Sequence, residues 1–140
     1  MNGPGIAPVQ AELDVSLIVP GDEPVPLPVS LRYDPSDPYA VTATFRTGQG
    51  EGVSWVFARE LLAVGLHRPI GDGDVQVSPG HRGGERVAEI SLRSPDGSAL
   101  LHAPANDLVV FLGRTYTTVP DGTETDHLDI DRELERMMQR

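Results

Sequence analysis

Apolar residues recur at every second position from Ala11 to Val19, with Glu12, Asp14 and Ser16 between them. That period of two predicts a half-buried strand. A turn cluster, Pro20-Gly21-Asp22-Glu23-Pro24, separates it from a second alternating run, Val25, Leu27, Val29, Leu31 and Tyr33. Pro26 and Pro28 lie on one side of this second run and remove two ladder donors, so its start belongs at a sheet edge or pairs on one side only. The corner Asp34-Pro35-Ser36-Asp37-Pro38 is stiff, because each proline disfavours helical geometry in the aspartate before it. A third strand carries Tyr39, Val41, Ala43 and Phe45 on one face. Glycines from Gly48 to Gly52 form a hairpin loop, and a fourth strand covers about Val53 to Phe57.

The period then changes. Ala58 to Val64 consists of good helix formers, and Gly65 is placed as the residue just past the helix end. Two turns do not hold themselves, so this helix depends on tertiary packing. Beyond a Gly71-Asp72-Gly73 turn, Val75 and Val77 suggest a fifth strand, with Pro79 to Gly84 as a flexible connection. Arg86 to Arg93 reads as a sixth strand with Ala88, Ile90 and Leu92 on one face. The turn Ser94-Pro95-Asp96-Gly97 leads to a seventh, Ser98 to His102. Pro104 suits the first turn of a helix bearing Ala105, Leu108, Val109 and Leu112 at helical spacing. A last helix starts near Ile130, with Asp129 as N-cap and Ile130, Leu134, Met137 and Met138 as its apolar stripe.

The expected class is therefore α+β: a twisted, mostly antiparallel sheet of about seven strands with three helices, in the order ββββα-βββα plus a C-terminal helix. At 140 residues the chain forms one domain, residues 1–140, with residues 1–10 as a flexible N-terminus.

Composition removes several chemistries. Without cysteine there is no disulfide, thiolate metal site or cysteine nucleophile. All eleven bases are arginine, so a lysine phosphate loop, Schiff base or lysine general base is excluded. The net charge of −10 sets the chain's own field against binding nucleic acid. The acids of Gly71-Asp72-Gly73-Asp74 stop before an EF-hand spacing is reached. The run Asp121, Glu124, Asp126, Asp129 and Asp131 has Arg132 where such a loop needs its bidentate glutamate, and reads as solvated charge ahead of a helix. His67, His81, His102 and His127 are scattered without short ligand spacing, and no G-x-S-x-G surrounds a serine. No catalytic residue, metal ligand or cofactor is assigned. Tyr33, Tyr39, Phe45, Trp55 and Phe57 fall on alternating strand positions and are expected to share a core face. A base-stacking surface would be flanked by basic residues.

Two blocks carry more than periodicity. One is Leu31-Arg32-Tyr33-Asp34-Pro35-Ser36-Asp37-Pro38-Tyr39-Ala40-Val41-Thr42-Ala43-Thr44-Phe45. The other is Trp55-Val56-Phe57-Ala58-Arg59-Glu60-Leu61-Leu62, continuing through Gly65-Leu66-His67-Arg68-Pro69 to Gly71-Asp72-Gly73-Asp74-Val75. As strings they closely resemble the SsgA-like proteins, sporulation and cell-division regulators of morphologically complex actinomycetes.

The resemblance implies a whirly-like twisted-sheet fold, assembly as a homotrimer, and a non-enzymatic role in sporulation-specific septation. One type of member recruits the tubulin-like division protein FtsZ to future septum sites and promotes its assembly. FtsZ and other septal proteins are thus the implied partners. The implied location is the cytoplasm, concentrated at the division septum, with no direct membrane insertion. Because whirly-like folds elsewhere bind single strands, a single-stranded nucleic-acid-binding protein is the competing class, and the charge opposes it. For the partner surface, Arg59, Glu60 and Arg68 are the candidates: they interrupt an apolar segment and would rim a hydrophobic contact. The plainer reading is that Arg59 and Glu60 solvate the outer face of a short helix. Arg68 would then pack over a loop or cap helix carbonyls. The same short helix, with Leu61, Leu62, Val64 and Leu66, carries more apolar surface than one buried stripe needs, which favours a homo-oligomer.

Overall fold

A computed structural model describes residues 7–46 and 52–128. The chain runs β1 (Val9–Ile18), β2 (Val25–Tyr33), β3 (Ala40–Phe45), β4 (Val53–Ala58), α1 (Arg59–Gly65), β5 (Ile70–Asp72), β6 (Val75–Arg82), β7 (Glu85–Ser94), β8 (Gly97–Pro104) and α2 (Ala105–Thr118). A single 3-10 turn, Glu124–His127, follows. One eight-stranded antiparallel sheet results, in the order β4-β3-β2-β1-β8-β7-β6-β5. Two four-stranded meanders, each followed by a helix, are joined where Ser16, Leu17 and Ile18 of β1 pair with His102, Leu101 and Leu100 of β8.

The α+β class and the antiparallel sheet are as expected; among the described residues there are eight strands rather than about seven, and two α-helices. The helix expected from Ile130, the hairpin loop expected over Gly48 to Gly52 except Gly52 itself, and most of the N-terminal segment lie outside the described residues. Val9 and Gln10 already belong to β1.

The additional strand is β5. Gly71 and Asp72 are its body rather than a turn, and the reversal falls at Gly73-Asp74, where Gly73 has φ +62. Nor is Pro79 to Gly84 a loose connection. β6 continues through Pro79 to Arg82, and Gly83-Gly84, both with positive φ, close a two-residue hairpin onto Glu85. Pro79 is tolerated because β5 covers β6 only as far as Val77, so the later part of β6 is itself an edge.

The reading of Pro26 and Pro28 holds. β2 pairs with β1 along its full length from Val25, but with β3 only over Val29–Arg32.

Both helices lie on the concave face. Trp55 of β4 and Leu92 and Ala99 of the β7–β8 hairpin line one cleft, although β3, β2 and β1 separate β4 from β8. A flat sheet would hold β4 and β8 about 19 Å apart, so the sheet curls strongly. Its inner face (Leu13, Val15, Val29, Leu31, Val41 and Ile90 among others) packs against Leu61 and Leu62 of α1 and Leu108, Phe111 and Leu112 of α2. Val109, expected on the buried stripe, is 45% exposed; Phe111, four residues before Thr115, takes that place.

The apolar excess of α1 is absorbed internally, with Leu61, Leu62 and Leu66 all buried against β5, β6 and the core. Gly65 is the last residue of α1 rather than a positive-φ cap. A Cβ there would run into the Val77 side chain, so glycine is required by the close approach of α1 to β6.

Of the five aromatics expected in the core, Tyr33, Phe45 and Phe57 are buried and Trp55 is half-buried near the sheet rim. Tyr39 is 48% exposed, because β3 begins only at Ala40 and Tyr39 sits in the preceding turn.

Candidate partner surface around the first helix

The three sequence candidates separate sharply in the structure. Arg59 is 1% exposed and is among the largest fully buried side chains, so it neither solvates α1 nor rims a contact. Its backbone N–H donates to Tyr39 O at 2.7 Å, extending the β3–β4 ladder into the helix start. That hydrogen bond aims the side chain inward, toward the end of α2. Nη1 donates to Thr115 O at 3.1 Å and Val119 O at 2.8 Å, and Nη2 to Glu124 Oε2 at 2.7 Å. The guanidinium stacks over Tyr116, 4.0 Å from the ring centroid, with Tyr33 at 5.1 Å on another side.

A buried charge survives only when paired and hydrogen-bonded. This one is both. The last turn of α2 contains no basic residue of its own, and Arg59 supplies the cation that its terminal carbonyls and dipole favour, from more than fifty residues upstream. Tyr33 completes the cluster by donating to Pro38 O at 3.0 Å, which ties the Asp34–Pro38 corner to the core. Burial pushes its phenol up to about 12 despite the nearby guanidinium.

Glu124 belongs to the acidic run read as solvated charge, and its placement corrects that reading. It accepts from its own backbone N–H, from Arg59 and from Gly122, and these bonds hold its carboxyl below the ordinary 4.5. A depressed folded value means that the unfolded chain takes up the proton first as pH falls. The stabilisation is therefore complete above 4.5 and is lost as pH falls through the lower folded value. In denaturant titrations from about pH 5 downward, Glu124→Gln is expected to show a shallower acid loss of stability than the unmodified chain. Coincident acid slopes would show that the pair does not form.

Glu60 and Arg68 are both exposed. Glu60 lines a cleft of about 270 Å³ together with Tyr39, Ala58, Asp121, Gly122 and the Arg59–Glu124 pair. Arg68 follows α1, its N–H donating to Val64 O at 3.0 Å, and its side chain makes no ion pair among the described residues. The helix-capping role open to Arg68 is filled by Arg86 of β7, whose Nη2 donates to Leu66 O at 3.3 Å. Sequence reasoning missed Arg86, and its one signal was the absence of a base in the last turn of α1.

Elsewhere, an apolar void of about 20 Å³ lined by Leu13, Leu31, Leu62 and Leu108 among others is a packing gap with no polar lining. His102 lies near Glu89 at 3.8 Å, and burial holds its imidazole below the ordinary range. Among the described residues no group of three or more His, Asp or Glu is arranged to hold a metal ion. No described helix is long and apolar enough to cross a membrane.

Among the described residues, the curled antiparallel sheet with two concave-face helices, locked by the buried Arg59, defines an α+β module that presents open clefts and surfaces. Residues 27–124 match the family described as "Streptomyces sporulation and cell division protein, SsgA", and the chain belongs to this family. It is 54% identical over 130 residues, 93% of this chain and 95% of the relative, to sporulation-specific cell division protein SsgB of Streptomyces coelicolor. It is 48% identical over 126 residues to the protein of the same name from Thermobifida fusca, covering 90% and 91% of the two chains. Among solved structures, an SsgA-like sporulation-specific cell division protein from Thermobifida fusca YX-ER1 superposes with a TM-score of 0.86 at 46% identity, over 98% of this chain and 99% of that one. A chain described under mutations in SsgB that correlate to longitudinal cell division during sporulation of Streptomyces coelicolor gives 0.84 at 54% identity, over 87% and 96%.

Proposed function

We propose that the protein is a non-enzymatic regulator of sporulation-specific cell division that recruits FtsZ to septum sites and promotes its assembly. It acts as a cytoplasmic homotrimer concentrated at the septum. The observation that carries this reading is its near full-length likeness to relatives named for sporulation-specific cell division. FtsZ, the trimer and the absence of turnover come from the family resemblance. The net charge of −10 opposes the single-strand nucleic-acid alternative, since phosphate contacts dominate such binding.

Glu60 and Arg68 are the proposed contact residues, exposed on and just after α1. Arg59 supports that surface from beneath instead of touching the partner. The test is co-sedimentation of purified protein with assembling FtsZ, after light scattering has given a mass about three times the 15.1 kDa of one chain. Glu60→Ala with Arg68→Ala is expected to weaken association while leaving circular dichroism unchanged. Undiminished association would move the contact to another surface. No association by the unmodified protein under any assembly condition would reject the FtsZ role.

A further inference from the structure

The two edges of the sheet are not equivalent. At one end β5 is only three residues long, and the part of β6 left uncovered beyond it carries Pro79, His81 and Arg82. Short edge strands, proline and charge are the usual protection against unwanted strand pairing. At the other end β4 runs six residues, Val53-Ser54-Trp55-Val56-Phe57-Ala58, with no charge and no proline. Among the described residues it pairs only with β3, which leaves its outer row of backbone donors and acceptors open. Exposed apolar side chains stand on both faces, Val53 on the inner face at 51% and Val56 on the outer face at 62%, while the exposed Ser54 hydroxyl is already hydrogen-bonded to Thr44 of β3.

Two clefts flank this edge. Beside the Trp55 end, a cleft of about 280 Å³ is lined by Trp55, Leu92, Ala99 and the β7–β8 turn with Asp96. Beside the Ala58 end lies the cleft that holds Glu60 and Asp121. Glu124 there is already paired with Arg59. The nearest base to the Val53 end, Arg46, donates from Nη2 to Ser30 Oγ at 3.3 Å on the outer face. An apolar edge with open hydrogen-bonding groups thus ends in acidic residues on both sides.

We propose that β4 accepts an extended segment of a partner protein as a ninth strand. The segment alternates apolar side chains and carries an arginine or lysine at each end. Main-chain hydrogen bonds to β4 supply affinity, and one apolar side chain fills the Trp55–Leu92–Ala99 cleft and sets the register. Asp96 at one end and Glu60 with Asp121 at the other receive the basic residues. This proposal does not rest on FtsZ being the partner, and its test contains no division protein, so the two readings fail independently.

Trp55 is the single tryptophan of the chain, and its emission reports the site directly. The probes, added to the full chain, are synthetic peptides with a central run of alternating valine and threonine. One carries arginine at each end, one is identical but has every central backbone nitrogen methylated, and one carries glutamate at each end. Saturable change of Trp55 emission is expected with the arginine-ended peptide. Binding should weaken by about tenfold or more for the methylated and glutamate-ended peptides, and for Val56→Lys, which places a charge on the edge. No response to the arginine-ended peptide would overturn the proposal. Equal binding of the methylated peptide would reduce it to apolar adsorption, and equal binding of the glutamate-ended one would remove its charge selectivity. If Val56→Lys lowers the chain's own mass by sedimentation, the edge belongs to a second copy and the partner strand is rejected.

Discussion

Arg59→Ala is expected to cost about 3–5 kcal/mol of folding stability, more than truncating either exposed candidate beside it. The substitution leaves Glu124 without its cation and strips Thr115 O and Val119 O of a donor at the buried end of α2. It also opens space between the rings of Tyr33 and Tyr116. Arg59→Lys keeps the charge but cannot send two nitrogens to separate acceptors while lying flat on Tyr116, so it is expected to recover only part of the loss. Combining Arg59→Met with Glu124→Gln removes the orphaned carboxylate and should be less damaging than the sum of the two changes. Chemical denaturation of the parent, Arg59→Ala, Arg59→Lys, Arg59→Met, Glu124→Gln and the double variant measures this. An Arg59→Ala midpoint indistinguishable from the parent would mean that the arginine is solvated and the cluster does not form.

The second large effect concerns which aromatic anchors the core. Phe111 is fully buried between α2 and the concave sheet, and Phe111→Ala is expected to cost about 3–5 kcal/mol through lost burial and a residual cavity. Trp55 is the larger side chain, yet it is only half-buried, with one side facing an open cleft. Trp55→Ala should therefore cost about 1–2 kcal/mol, near the middle of the range for single substitutions. Thermal melts decide the order: Phe111→Ala should fall by about 10 °C or more, and Trp55→Ala by clearly less. The reverse order would place Trp55 inside the core.

The Trp55 case shows where alternation stops being informative. Alternation assigns a residue to a face, and the face was right: Trp55 lies with Phe57 opposite Ala43 and Val41. How deeply a residue on that face is covered depends on what packs over it, and at Trp55 the inner face opens into a cleft. Tyr39 missed the core for a different reason, since the strand begins one residue later than the pattern implied. The β5 strand was illegible because three residues hold too little alternation to outweigh a Gly-Asp-Gly turn signal.

The candidate surface divides along the same line. That Arg59, Glu60 and Arg68 stand out within an apolar stretch is visible in the string. That Arg59 turns inward is not, because its partners Thr115, Val119 and Glu124 lie 56 to 65 residues away.

By itself, then, the chain's pattern determined the α+β class, the antiparallel strands, both described helices and the one-sided pairing of β2. Each of these follows from period, proline and turn chemistry acting over a few neighbouring residues. Only the tertiary structure decided that Arg59 is a buried clamp, that Gly65 lets α1 meet β6, that Trp55 sits on a rim and that, among the described residues, β4 is left as an open edge. Those outcomes depend on which distant segments arrive beside a residue, and the curl of the sheet sets that, a property that local periodicity does not encode.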